Sequence, residues 1–104
     1  MTEGNKLDIG KPRLDLIPKE VFLSLGEVLG FGASKYDAHN WRRGIKFSRI
    51  QAACLRHLTA WASGEDTDPE SGLSHIDHAL ANLGFLATFI REGRTELDDR
   101  YKRE

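Results

Sequence analysis

The residues of this sequence best suited to chemistry are three histidines, His57, His75 and His78. His75 and His78 are three positions apart, a spacing that places two side chains on the same face of a helix. Two imidazoles arranged in this way can bind one metal ion. Imidazole together with carboxylate suits Mn, Fe, Ni or Zn, whereas carboxylates alone would suit Mg. The spacing therefore indicates a metal site.

Each histidine also has an ordinary structural interpretation. His57 lies in the middle of an apolar stripe at helical spacing, where a core histidine can bond to a backbone carbonyl. His75 and His78 fit the polar first turn of a helix, although a charged imidazole there would oppose the helix dipole. The acidic segment between the histidines, taken alone, is typical of a solvated loop; its carboxylates are Glu65, Asp66, Asp68 and Glu70. The residues alone leave both interpretations open.

A second group of candidates lies in the stretch GASKYDAHNWRRGIKF, residues 32–47. Its cations can hold phosphates, and its aromatic side chains can stack on a base. We expect the substrate-binding residues in this stretch to be Lys35, Tyr36, Asn40, Trp41 and Arg42. A solvated basic loop with one aromatic side chain in the core would explain the same stretch.

Helical periodicity and capping residues locate the elements that must position these side chains. Pro18 fits the first position of a helix that continues to about Tyr36. Ser48 and Gln51 match a capping box at the start of a second helix, which Gly64 ends. The second helix carries His57 near its end.

The third helix begins after Ser74, which caps it, and ends at Gly93. Its second half is apolar on all sides, because Phe85 and Phe89 lie opposite a second apolar stripe. Such a helix needs cover on both faces, which three helices of one chain do not provide. We therefore expect a homo-oligomer, a dimer or a tetramer, whose core is completed between chains.

No segment alternates convincingly in the manner of a strand, so the sequence predicts an all-α fold. We expect a small helical bundle of three main helices plus short ones, forming a single domain over residues 1–104. Within it, residues 1–17 form an extended arm, residues 18–93 the helical core, and residues 94–104 a short helix or tail.

Composition narrows the classes of function. A net charge of −1 provides no general attraction to nucleic acid or to an anionic membrane. The single cysteine excludes an internal disulfide framework and suits a reducing compartment. No run approaches the roughly 20 apolar residues of a membrane span. We expect a cytoplasmic protein without a membrane or nucleic-acid partner.

Three stretches of the chain resemble a known family: KPRLDLIP, GASKYDAHNWRRGI and LRHLTAWASGEDTDPESGLSHIDHALANLGFL. They are similar to the phage and prophage proteins called dATP/dGTP diphosphohydrolases, over about residues 11–89. That family resembles, more distantly, the MazG-like all-α pyrophosphohydrolases, which are helical oligomers that use Mg or Mn. The resemblance implies a phage or prophage enzyme in the host cytoplasm that converts dATP or dGTP to the monophosphate and pyrophosphate.

MazG-like enzymes carry a glutamate pair on one helix and Glu-x-x-Asp on the next. In this chain His57 and the pair His75 and His78 occupy comparable places. With the resemblance, we expect these three histidines and Glu65 to bind a divalent metal, Mg or Mn, with Ni, Fe or Zn as alternatives. The expected catalytic residues are the loop carboxylates Glu65, Asp66, Asp68 and Glu70, one of which would orient the attacking water.

Lys35 and Arg42 are expected to steady the leaving pyrophosphate. Two alternatives remain at this point. One is a different metal-dependent phosphohydrolase with a histidine-rich site. The other is a non-enzymatic phage or host interaction module, in which the histidines and acids only hold the loop.

Overall fold

The computed structural model describes residues 3–102 and contains three α-helices. They are α1 (Lys19–Lys35), α2 (Phe47–Ala62) and α3 (His75–Arg91), with short 3-10 turns at Leu14–Leu16, Asn40–Arg43 and Thr95–Leu97. Within residues 3–102 the only extended pairing is an isolated antiparallel bridge between Thr67 and Ser74. The predicted all-α fold is confirmed. Residues 1–2 and 103–104, the ends of the predicted arm and tail, lie outside the described part of the chain.

The packing centres on α2 and α3, and α1 packs on α3. One buried cluster joins the start of α2 to the end of α3 and to the turn after it; its members are Phe47, Ile50, Cys54, Phe89 and Leu97. Phe89 and Ile50 are the largest fully buried side chains in the described residues. Trp41, Ile45, Phe85 and Leu86 cover this cluster. The arrangement places aromatic packing at one end of the α2–α3 pair.

The two predicted helix caps have different outcomes. Ser74 caps α3 as predicted, since its Oγ accepts the N–H of Ile76 at 3.1 Å. The cap predicted at Ser48 is wrong, because α2 begins at Phe47 and Ser48 is its second residue. The N–H and the hydroxyl of Ser48 donate to the carboxylate of Asp99, at 2.8 and 2.5 Å. An acid from the far end of the chain therefore satisfies the first turn of α2.

The segment after α3 differs from the predicted short helix. It forms only the 3-10 turn Thr95–Leu97 and then an irregular stretch. The reason is local competition, because aspartate side chains bond to nearby backbone groups that a helix would use. Asp98 accepts the N–H of Arg100 at 3.2 Å, and Asp99 is bound to Ser48.

The loop between α1 and α2 is fastened to the end of α3. Arg94 donates to the backbone carbonyls of Arg42 and Arg43, at 3.3 and 3.2 Å. Gly44 has a φ of 119°, and a Cβ there would lie 2.7 Å from the guanidinium of Arg94. The backbone conformation of this position therefore favours glycine, and the Arg94 side chain would have to shift to admit a Cβ.

The apolar residues of α3 lie on two sides, as the sequence predicts. Phe85 and Phe89 face the α2 side, and Phe89 is 0% exposed. Leu83 and Ile90 are 51% and 62% exposed in the single chain. The arm before α1 also presents apolar side chains, among them Leu7, which is almost wholly exposed. None of the helices in residues 3–102 has the length and hydropathy needed to cross a membrane.

Candidate metal centre

Two histidines meet at the end of the α2–α3 pair that is away from the aromatic cluster. His57 lies near the end of α2, and His75 is the first residue of α3. Their Nδ1 atoms are 2.8 Å apart. His75 is 4% exposed, and it is the one buried polar side chain among the described residues. The turn between the helices therefore brings two ring nitrogens together in a shielded place.

Asp68 of the connecting loop completes the group. Its Oδ2 lies 3.8 Å from His57 Nδ1, and ligand atoms of His57, Asp68 and His75 all lie within 4.8 Å of one another. The loop holds Asp68 in place through its backbone, whose N–H donates to the carbonyl of Leu73 at 2.8 Å. We call His57, Asp68 and His75 the histidine–aspartate group.

The loop is further closed by hydrogen bonds at its two ends. The N–H of Gly72 donates to the Asp68 carbonyl at 2.7 Å, and the N–H of His75 donates to the Asp66 carbonyl at 3.0 Å. Asp68 Oδ1 accepts the N–H of Glu70 at 2.7 Å. Hydrogen bonds within the loop thus hold the N–H, the carbonyl and the carboxylate of Asp68.

The surroundings favour the protonation states that bind metal. Burial opposes ionisation of Asp68, but N–H bonds from Glu70 and Ser71 and the nearby histidines outweigh it and lower the pKa of the carboxyl. Burial lowers the pKa of His57, His78 lowers it further, and Asp68 offsets only part of the effect. At neutral pH the group therefore offers a carboxylate and a neutral imidazole.

A second layer of side chains surrounds the group. His75 Nε2 lies 2.6 Å from Glu65 Oε1, on the side of the ring away from His57. His78 stacks on His57 with ring centroids 4.6 Å apart and an interplanar angle of 5°. His78 Nε2 in turn lies 2.7 Å from the hydroxyl of Ser71. On α1, the ring of Phe31 meets His78 edge-on, with centroids 6.4 Å apart.

The donor set of the histidine–aspartate group fits a divalent transition metal. Two neighbouring nitrogens bound to one octahedral ion at about 2.1 Å are about 3.0 Å apart, since the angle at the ion is a right angle. The observed separation of 2.8 Å between His57 and His75 is close to that value. Two imidazoles and one carboxylate suit Mn, Fe, Co, Ni or Zn better than Mg, which prefers oxygen.

The structure groups the predicted metal ligands differently from the sequence. Both sets contain His57 and His75. Asp68, predicted as catalytic, joins them, whereas Glu65 and His78 lie one contact further out. Ser71 had no place in the sequence-based prediction, because a serine in a polar loop carries no pattern that distinguishes it. Its contact with His78 becomes visible only when the loop folds back on α3.

The other loop carboxylates lie around the rim of the site. Glu70 forms an ion pair with Lys35, the last residue of α1. Asp66 is exposed and contributes its backbone carbonyl to the start of α3. Tyr36, also exposed, has its ring 5.5 Å from the Lys35 ammonium. Lys35 and Tyr36 are therefore the predicted substrate-binding residues that lie close to the acidic loop.

The remaining predicted substrate-binding residues lie at the aromatic end. Trp41 stacks on Phe85 with ring centroids 4.6 Å apart, and the guanidinium of Arg42 lies 4.6 Å from the indole. Asn40 begins the same 3-10 turn. Phe85 is ten residues after His75, which places it about 15 Å further along α3. The structure therefore does not bring Asn40, Trp41 and Arg42 next to the histidine–aspartate group.

Comparisons with known proteins give two matches. The family model described as dATP/dGTP diphosphohydrolase, N-terminal, matches residues 1–100. A protein of Salmonella phage PMBT28 named dATP/dGTP diphosphohydrolase is 35% identical over 98 residues, which cover 94% of this chain. The same residues cover 33% of that protein, so the chain spans about a third of the length of the curated relative it matches. No solved structure gives a significant match.

Proposed function

The chain belongs to the dATP/dGTP diphosphohydrolase N-terminal family, and on that premise we propose that it is a metal-dependent nucleotide pyrophosphohydrolase. Its substrate would be dATP or dGTP, and its products the deoxynucleoside monophosphate and pyrophosphate. The observation that carries the proposal is the convergence of His57, Asp68 and His75 within 4.8 Å.

The histidine–aspartate group would hold the metal. A divalent ion supplies positive charge against the triphosphate oxygens and acidifies water. Asp68 contributes the negative ligand, and its backbone bonds keep it ionised and oriented. His57 and His75 would contribute ring nitrogens from two helices, which fixes the donor geometry. Of the two metals expected from the sequence, Mn suits these donors better than Mg, because two of the three are imidazoles.

The pair of Lys35 and Glu70 would take part in both substrate binding and water activation. Its two members are exposed, so a triphosphate can compete for the lysine. When Lys35 turns to the phosphates, the Glu70 carboxylate would be released two residues from Asp68 in the same loop. Glu70 would then accept a proton from the attacking water, while Lys35 stabilises the leaving pyrophosphate.

Tyr36 is the best placed aromatic residue for the base. It is exposed and follows Lys35 directly, whereas Trp41 is stacked against the core. A base stacked on Tyr36 would leave the phosphates within reach of Lys35, whose ammonium lies 5.5 Å from the Tyr36 ring. Arg42, at the aromatic end, would reach phosphates only in a larger assembly.

The proposed assembly is a homo-oligomer, a dimer or a tetramer, active in the cytoplasm without a membrane or nucleic-acid partner. It is supported by the exposed residues Leu83 and Ile90 on α3, because burying them between chains is favourable. Light scattering tests it against the single-chain mass of 11.7 kDa. A mass of 11.7 kDa at micromolar concentration contradicts it.

The decisive experiment is a product assay. The protein is incubated with dATP and dGTP in the presence of Mg, Mn, Co, Ni or Zn, and products are separated by chromatography, with His57→Ala as the control. We expect monophosphate and pyrophosphate, with Mn above Mg. Release of single phosphates would assign the chain to another class of phosphohydrolase.

A second candidate function follows from the length comparison. Since the chain spans about a third of the phage relative, the residues matched here need not contain the whole catalytic apparatus of that protein. A chain that binds metal stoichiometrically but hydrolyses neither nucleotide would be a binding module rather than an enzyme.

A further inference from the structure

Glu65 and His78 lie immediately outside the histidine–aspartate group, and each touches one of its histidines. We propose that Glu65, and His78 together with Ser71, are positioning residues rather than metal ligands. Glu65 fixes which nitrogen of His75 carries the proton, and His78 fixes the ring plane of His57. The inference rests on the proposed metal centre and specifies how the chain prepares it.

The geometry around His75 determines its tautomer. Glu65 Oε1 lies 2.6 Å from Nε2, and a carboxylate can only accept a hydrogen bond. Nε2 must therefore carry the proton. In a neutral imidazole the other nitrogen, Nδ1, is then bare, and this is the atom 2.8 Å from His57 Nδ1. His75 is only 4% exposed, so its ring is shielded from solvent, while the side chain of Glu65 is half exposed.

His57 is not fixed in the same way. With Nδ1 of His75 bare, the 2.8 Å contact requires a proton on Nδ1 of His57 when no ion is bound. Binding an ion through this atom requires the proton to move to Nε2 of the same ring. The two histidines are thus unequal: His75 is ready for metal in the free protein, whereas His57 changes tautomer.

The contacts of His78 hold its ring parallel to that of His57. The interplanar angle is 5°, and Ser71 binds Nε2 at 2.7 Å, which prevents the His78 ring from rotating. Its carbonyl accepts the side-chain amide of Asn82 at 2.9 Å, and Phe31 meets the ring edge-on. His78 therefore supports the ring of His57 by stacking. Its Nε2 is bound to the Ser71 hydroxyl and is not directed toward the proposed ion.

Such outer contacts have measurable consequences for metal sites. A ligand whose ring is already oriented loses less rotational freedom on binding. Removing an outer partner of a ligating histidine typically weakens metal affinity by about 10- to 100-fold. Carboxylate partners also raise the basicity of the imidazole, which strengthens its bond to the ion.

The first test reads the tautomers directly, without metal. Nitrogen-15 NMR of the histidine rings at neutral pH should show His75 protonated on Nε2. Glu65→Gln should preserve this state, because an amide oxygen still accepts the bond, whereas Glu65→Ala should give a mixture. Addition of Zn should move the proton of His57 to Nε2 and leave His75 unchanged. A mixture at His75 in the wild-type protein, or no change in Glu65→Ala, would overturn the role of Glu65.

The second test separates stacking from ligation by titrating Co²⁺ and following its visible absorption. His78→Phe retains an aromatic ring but has no nitrogen, so its affinity should stay within about threefold of wild type. His78→Ala should bind about 10- to 100-fold more weakly, as expected for an outer partner. Ser71→Ala, the variant that leaves both rings in place, should weaken binding several-fold and retain the absorption bands.

The outcomes are distinguishable from those of the product assay. Loss of Co²⁺ binding in His78→Phe as complete as in His57→Ala would identify His78 as a ligand and overturn the proposal. Wild-type affinity in both His78→Ala and Ser71→Ala would overturn it as well, as would a wild-type chain that binds no Co²⁺. If wild type binds Co²⁺ with the expected variant order but hydrolyses neither nucleotide, the positioning roles stand and the proposed function falls.

Discussion

The two ends of the α2–α3 pair use their side chains in opposite ways. At the aromatic end, Phe47, Ile50 and Phe89 bury apolar surface with Trp41 as cover. At the histidine end, the polar atoms of His57, Asp68 and His75 face one another and are oriented by further hydrogen bonds. The first arrangement depends on volume and area, whereas the second depends on direction and protonation.

The comparison indicates that the aromatic end mainly stabilises the fold, whereas the histidine end has the geometry suited to chemistry. Apolar burial is non-directional and contributes about 25 cal/mol for each Å² removed from water. Clustered imidazoles and a carboxylate contribute little by themselves, but their geometry suits an ion. Mutations at the aromatic end should therefore change melting without specific loss of ligand, and mutations at the histidine end should do the reverse.

The largest expected effect is at Phe89. Replacement by alanine removes a fully buried ring from the centre of the cluster, which costs about 3–5 kcal/mol. At about 4–8 °C per kcal/mol for a domain of this size, the melting temperature should fall by more than about 12 °C. The matched control is Ile9→Ala in the arm, where the side chain is 98% exposed. Equal melting of the two variants would contradict the assignment of the core.

At the histidine end, Asp68→Asn should weaken metal binding by about 100-fold, or about 2.7 kcal/mol, because it removes the only carboxylate of the group proposed to hold the ion. The melting temperature of the metal-free protein should change little, since the amide oxygen can still accept the N–H of Glu70. Asp66→Asn in the same loop is the control and should bind metal normally. Calorimetric titration measures the metal affinity of both variants. Similar affinities would show that Asp68 does not bind the ion.

Trp41 tests whether the two ends are functionally separate. Its stacking on Phe85 predicts that Trp41→Ala lowers stability by about 2 kcal/mol, less than a fully buried aromatic residue would. Nucleotide affinity, measured on the same sample in the folded fraction, should change less than about threefold. A tenfold loss of affinity with unchanged melting would instead support the base contact predicted from the sequence.

The smallest expected effect concerns Asp99 at the aromatic end. Hydrogen bonds from the Ser48 hydroxyl and N–H lower the pKa of its carboxyl. A carboxyl with a lowered pKa in the folded state stabilises the fold above its ordinary pKa, and this contribution disappears as pH falls through the lowered value. Asp99→Asn should therefore melt slightly lower than wild type at pH 7. The difference should shrink below about pH 4. A difference that stays constant with pH would contradict the hydrogen bonds from Ser48 to Asp99.

Features that depend on nearby residues could be predicted from the sequence. The Ser74 cap of α3 follows from spacing within one turn, and the structure confirms it. The helix predicted from Pro18 to about Tyr36 matches α1, Lys19–Lys35, to within one residue at each end, with Pro18 preceding the helix rather than beginning it. The partly buried position of His57 is also consistent with its place in the middle of the apolar stripe of α2.

Features that depend on distant residues could not be predicted in this way. Asp99 meets Ser48 across 51 positions, and nothing near Ser48 indicates such a partner. Likewise, the choice of Asp68 among four loop carboxylates depends on how the loop closes on itself, through bonds such as that from Asp68 N–H to Leu73. Sequence patterns identify the types of side chain at the site but not which of them point the same way.

The three ligand atoms of the histidine–aspartate group come from three separate segments: α2, the loop and α3. The unfolded chain does not hold them together, so an ion bound by all three favours the folded state by mass action. Each tenfold excess of ion over its dissociation constant then adds about 1.4 kcal/mol to the free energy of unfolding. The proposed ion would cross-link the α2–α3 hairpin, and the melting temperature would then rise with metal concentration.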